Sequence, residues 1–205
     1  TQSRSSAASD VYKRQALAAP ANQALLALSR RPPAQLELDR LTFYVHSASV
    51  DPAQRAWAGA AAYEALVAAH LLRADPPARA WALDFASPTT FRAGGALLPV
   101  PLPGLVFGSL VERWNAFAPI ALAAETRRFA EECVGMGRYE LRSHAERGKE
   151  GVIFVGAVGW CSYRALRFDR YWQAVLSLLC DFALYAGVGY GVAAGLGQAR
   201  RRPPA

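Results

Sequence analysis

Residues 168–202 read FDRYWQAVLSLLCDFALYAGVGYGVAAGLGQARRR, and the reading of this stretch decides the fold. Phe168, Tyr171, Val175, Leu178, Leu179 and Phe182 recur at helical spacing, which predicts an amphipathic helix from Phe168 to Tyr185. From Trp172 to Gly197 only Asp181 is charged, and 26 residues are enough to cross a bilayer. Two features argue against a span. Asp181 would cost about 3 kcal/mol at the bilayer centre. Glycines 187, 189, 191, 195 and 197 crowd the second half at a density that no helix favours. The stretch is a buried helix, then a glycine loop, then a closing strand from Gly197 to Arg202.

Working upstream, Arg138–Arg142 and Val152–Ala165 read as a hairpin joined by the charged segment His144–Glu150. Leu105–Phe117 places Phe107, Leu110, Val111, Trp114 and Phe117 on one helical stripe, and Leu122–Cys133 reads as a second short helix. Gly94-Gly95 and the prolines at 99, 101 and 103 predict a rigid loop. Arg79–Phe85 alternates as a strand. The order from Arg79 onward is strand, helix, strand, strand, helix, strand, with one extra helix. That is an α+β, ferredoxin-like (RRM-like) βαββαβ domain. It predicts a four-stranded antiparallel sheet with helices on one face, Trp114 and Leu179 buried against it.

Before Arg79 the signals are weaker. Ala21–Ser29 reads as a helix end, Gln35–Ser47 as one strand and Trp57–Leu72 as an Ala-rich helix. Asp75-Pro76-Pro77 is the best linker in the chain. Residues 1–15, TQSRSSAASDVYKRQ, are polar and without periodicity. No apolar core follows within them, so they are not a signal peptide; they read as adapter-derived or disordered.

The chain has 205 residues, 53% hydrophobic and 19% charged, which excludes a disordered chain and a disulfide mini-protein. Cys133, Cys161 and Cys180 are far apart and lack a CxxC, so neither a zinc ribbon nor a disulfide framework is signalled, and the usage suits a reducing cytoplasm. The net charge of +7 is carried by arginine almost alone, Lys13 and Lys149 being the lysines. Arginine forks grip phosphate, so a polyanionic partner is one reading; a GC-rich genome is the other.

The glycine loop favours the polyanion. Glycines at this density permit positive φ and let the backbone approach a ligand. Successive N–H groups can then cradle phosphate oxygens. A helix cap with a tight turn needs two glycines, not five. A dinucleotide loop needs strand before and helix after, and here the order is reversed.

The Gly-x-Gly-x5-Gly-x-Gly pattern, Phe85-Ala86-Ser87-Pro88-Thr89-Thr90-Phe91, and Pro101 through Phe107 to Arg113-Trp114-Asn115 resemble, in this order, the RAMP proteins of CRISPR systems. The likeness, spanning about residues 55–202, is closest to the endoribonucleases that process precursor CRISPR RNA. That resemblance implies tandem ferredoxin-like domains: 16–76 the remnant of a first and its linker, 77–202 the C-terminal RAMP domain. It implies a metal-independent attack of a 2′-hydroxyl on the adjacent phosphate, no cofactor, a cytoplasmic location, and precursor CRISPR RNA as partner, with other effector proteins as further partners. A non-catalytic RNA-binding subunit of an effector complex is the alternative. The family often has a basic or hydroxyl residue where Val192-Ala193-Ala194 stands, which leaves backbone contact as the loop's expected mode.

Candidate RNA contacts are Gly187, Gly189, Gly191, Gly195, Gly197, Gln198, Arg200, Arg201 and Arg202, with Arg164 and Arg167 at the strand-to-helix turn. Trp160 is read as a core residue, with stacking on bases, together with nearby Tyr163, as the other reading. Arg113 faces RNA or pairs with Glu112. The reaction wants a base of near-neutral pKa. Of three histidines, His70 reads as a packed or edge residue in an apolar helix and His144 as solvated or a phosphate contact in the hairpin turn. His46, at a strand end beside Tyr44 and Ser47, is the weak catalytic candidate. The family's base usually comes from the first helix of the first domain, so this chain is expected to bind RNA weakly without cleaving it.

Overall fold

The computed structural model describes residues 23–148, apart from 25, 39 and 40, and residues 151–203. The segment 1–15 and the hairpin residues Lys149 and Glu150 lie outside the described residues. The chain divides into two compact units, one ending at Ala60 and the other starting at Ala61.

In the first unit a helical segment (α1, residues 26–30) precedes an antiparallel hairpin. Its strands are β1 (Gln35–Leu38) and β2 (Leu41–Tyr44), with Gln35 opposite Tyr44 and Leu38 opposite Leu41. The sequence suggested one strand over Gln35–Ser47. Apolar and polar residues alternate through both strands, so the sequence by itself does not mark the reversal. The expected helix from Trp57 starts later. Asp51 instead organises a turn, its Oδ1 accepting the Ala53 N–H at 2.9 Å and its carbonyl the Arg55 N–H at 3.1 Å.

The second unit opens with α2 (Tyr63–His70), which packs on the long helix α5 (Arg170–Ala186). Its sheet comprises β3 (Ala80–Thr89), β6 (Val134–Arg147), β7 (Ile153–Ala165) and β8 (Ala199–Arg201). The spatial order is β6-β7-β3-β8, antiparallel at every step. Chain order with α3 (Pro103–Phe117) and α5 as the crossovers is βαββαβ, the expected ferredoxin-like arrangement; α4 (Thr126–Cys133) is the extra helix. Trp81, Leu83 and Phe85 on β3 and Cys161, Tyr163 and Ala165 on β7 alternate into a core closed by Phe107, Leu110 and Trp114 of α3 and Val175, Leu176 and Leu179 of α5. Trp114 and Leu179 are fully buried, as expected. No helix among the described residues is long and apolar enough to cross a membrane, because α5 stops at Gly187, whose φ of 65° no continuing helix adopts.

Four local expectations are corrected. Gly94-Gly95 is not a rigid loop but the turn of a small hairpin, β4 (Phe91–Ala93) with β5 (Ala96–Leu98), both glycines at positive φ. The second helix begins at Thr126, not Leu122, because Asn115 holds the preceding segment extended: its Oδ1 accepts the Leu122 N–H at 2.7 Å and its Nδ2 donates to the Leu122 carbonyl at 2.8 Å. β6 runs through His144 to Arg147, so His144 lies in a strand opposite Gly156. Asp169 caps α5 by accepting the Trp172 N–H at 3.1 Å, which leaves Phe168 outside the helix; it and Tyr171 are exposed, not core.

Candidate nucleic-acid interface

The glycine loop joins α5 to β8, and all five of its glycines adopt positive φ. At two of them the reason is contact as well as conformation. A Cβ on Gly189 would strike the Thr90 carbonyl, and one on Gly197 the Val188 carbonyl. The loop is held close to the end of β3. Tyr190 N–H donates to the Thr90 carbonyl at 2.7 Å, Gly197 N–H to the Pro88 carbonyl at 3.0 Å and Gln198 N–H to Ser87 Oγ at 2.8 Å. From α3, Ser109 Oγ accepts the Gly189 N–H at 3.2 Å, and the Arg113 guanidinium donates to the carbonyls of Ala186 and Gly189.

Accounting for every N–H in the loop sharpens its role. Val188 is bonded to Gly197, Ala194 and Leu196 to Gly191, Gly195 to Val192, and Gly187 to Ala183. Only the N–H groups of Gly191, Val192 and Ala193 lack an acceptor among the described residues. They open a 3₁₀ turn, Val192–Ala194, whose Ala193 and Ala194 are exposed. Three consecutive N–H groups without an acceptor are the ordinary opening of such a turn, and groups so placed can hold an anion.

The arginine run is committed within the fold. Arg200 Nε lies 3.3 Å from Asp84 Oδ2, and Arg202 lies 3.1 Å from Asp84 Oδ1. Arg201 projects to the helix face and meets Asp181 of α5 at 3.1 Å. Successive strand residues point to opposite faces, so the three cannot act as one patch. Burial pushes the Asp181 carboxyl up, but the hydrogen bond from His70 and the Arg201 guanidinium outweigh it and hold the group below the usual carboxylate range.

Arg164 and Arg167 are exposed. Arg164 stands opposite Ala80, the far end of β3 from the loop at Thr90, about 25–30 Å away at strand rise. The structure does not bring this pair to the glycines. It does put Arg164 on the helix-free face of the sheet with Arg142, Trp160 and Arg202. Arg138, Arg142 and Arg164 have no ion-pair partner among the described residues. Trp160 is therefore not core: it lies on this open face, half-buried, with the Arg202 guanidinium 4.6 Å above its ring. Strand parity against Tyr163 was the signal in the sequence that would have placed it.

The histidines separate by setting. His70 Nε2 lies 2.6 Å from Asp181 Oδ2, and His144 Nε2 lies 3.5 Å from Glu146. His46 is exposed in the coil after β2. Asn115 pins Leu122, and Arg113 holds the loop instead of forming an ion pair with Glu112.

A βαββαβ sheet open on one side, with a glycine loop locked between β3 and α3, defines a RAMP-type module. Residues 83–199 match the family of the CRISPR-associated endoribonuclease Cas6, and the chain belongs to that family. The solved structure titled Cas6 (TTHA0078) product complex is 33% identical, with a TM-score of 0.72 over 86% of this chain and 69% of its own. A Cas6 (TTHB231) product complex is 26% identical, with a TM-score of 0.73 over 90% of this chain and 70% of its own. Thermus thermophilus Cas6 (TTHB231), 21% identical with a TM-score of 0.69, covers 94% of this chain and 90% of its own and shares the fold. No curated protein sequence matches.

Proposed function

We propose that this chain grips the repeat of a precursor CRISPR RNA for cleavage, residues 77–202 forming the gripping domain. The observation that carries the reading is the unclaimed N–H trio at Gly191, Val192 and Ala193, in a loop whose other N–H groups are spent on holding it. A phosphate seated there is bound by backbone, which suits a turn built of Val192, Ala193 and Ala194. Arg142 and Arg164, which have no ion-pair partner among the described residues, supply cations on the open sheet face for flanking phosphates. The reaction is attack of a 2′-hydroxyl on the adjacent phosphate, leaving a 2′,3′-cyclic phosphate and a 5′-hydroxyl. A base takes the hydroxyl proton, and hydrogen-bond donors and cations stabilise the developing charge without a metal. A cytoplasmic location and contact with other effector proteins belong to the same proposal.

The test is incubation of the chain with its repeat RNA in EDTA, scored for binding by filter retention and for products by end-group analysis. Salt-sensitive binding is expected. Its absence overturns the reading. Cyclic-phosphate products place the base within this chain and make His46 the first residue to replace. Binding without products selects a non-catalytic RNA-binding role.

A further inference from the structure

Arg113 lies on α3 where that helix passes the start of the glycine loop. Its NH1 donates to the Ala186 carbonyl at 3.0 Å and its NH2 to the Gly189 carbonyl, partners 73 and 76 residues downstream. One carbonyl ends α5, where the helix carries partial negative charge. The other belongs to the loop's first turn. Ser109, four residues earlier on the same face of α3, accepts the Gly189 N–H. Both backbone polar groups of Gly189 are thus claimed by one helix, two residues before the unclaimed trio begins.

The identity of the side chain matters. A guanidinium presents two parallel donors in a fixed fork, and here each finds a different carbonyl. An ammonium has three rotatable donors and no fixed fork, so it holds the two carbonyls less rigidly. Burial pulls the Arg113 pKa down, while neighbouring Glu112 raises it. A hydrocarbon chain would fill the same space without that desolvation, so packing alone does not account for an arginine here.

We propose that Arg113 is the positioning residue of the loop: by fixing the carbonyls of Ala186 and Gly189 it aims the N–H groups of Gly191, Val192 and Ala193 at an RNA phosphate. The proposal rests on the RNA-gripping function above. A glycine-rich segment loses much backbone freedom when ordered, and a loop ordered in advance binds without meeting that cost at the moment of contact.

The experiment compares the chain with its Arg113→Lys and Ser109→Ala variants. Melting temperature, amide exchange and a salt series of repeat-RNA binding are measured on each. Both variants are expected to fold. Arg113→Lys should weaken RNA binding by about tenfold or more with little change in the slope of log K against log salt, because backbone N–H groups carry no charge that would release counterions. Amides of Val188, Tyr190 and Leu196 should exchange faster while those of β3 and β7 do not. Ser109→Ala should show the same pattern more weakly. A purely structural arginine would lower the melting temperature and leave the RNA affinity of the folded chain unchanged. That result, or unchanged loop exchange, overturns the proposal. Failure of the unmodified chain to bind RNA overturns the underlying function instead, and the exchange data still report whether Arg113 holds the loop.

Discussion

His70 and Asp181, 111 residues apart, meet at 2.6 Å and pin α2 to α5, with Arg201 of β8 on the other side of the same carboxylate. One carboxylate ties three elements together. With its pKa depressed in the folded state, Asp181 contributes stability that is complete above the ordinary carboxylate range and is lost as pH falls through its folded value. Acid unfolding followed by circular dichroism should therefore be shallower below about pH 4 in Asp181→Asn than in the unmodified chain. At neutral pH the variant should be less stable by about 1–3 kcal/mol in urea.

Trp114 is the centre of the aromatic core. Its ring meets Tyr63 edge-on at 5.2 Å and Phe182 at 5.1 Å, and its Nε1 donates to the Ile120 carbonyl at 2.8 Å. Trp114→Ala removes all three and leaves a cavity, which should cost about 3–5 kcal/mol in urea melts. Trp114→Phe should recover part of that loss, and equal instability of the two would count against a packing role.

Gly189→Ala tests the close approach of the loop to β3. The added methyl meets the Thr90 carbonyl at a positive φ, so the loop must move. RNA binding should fall by at least tenfold while far-UV circular dichroism stays unchanged. Full retention of binding would mean that the loop's seat on Thr90 is dispensable.

The open sheet face gives a cleaner electrostatic test than the arginine run. Removing Arg200, Arg201 and Arg202 together would strip partners from Asp84 and Asp181 and confound binding with stability. Arg142→Ala with Arg164→Ala removes two exposed cations that have no ion-pair partner among the described residues. The salt slope for repeat RNA should flatten by about 1.4–1.8 with no change in melting temperature. An unchanged slope removes this face from the interface.

Much of this architecture was legible in the chain itself. Strand alternation in Arg79–Phe85, the apolar stripes of Leu105–Phe117 and Phe168–Tyr185, and the glycines after them are local patterns whose period specifies one element each. Their order specifies βαββαβ. Two of the misread boundaries have one cause: side-chain bonds override local propensity. Asn115 delays α4 and Asp169 starts α5 after Phe168.

The site divides in the same way. Glycine at 187, 189, 191, 195 and 197 determined by itself that the loop would take conformations closed to other residues, because only a missing Cβ permits them. Which N–H groups remain for a ligand was decided in part by tertiary structure, since Thr90, Pro88, Ser87 and Ser109 claim four of the others from about 80 to 110 residues away while local carbonyls take the rest. The arginines follow suit. Sequence supplied three in a row, but strand pleating sends Arg201 to one face and Arg200 and Arg202 to the other, each onto a carboxylate that only the folded sheet brings near.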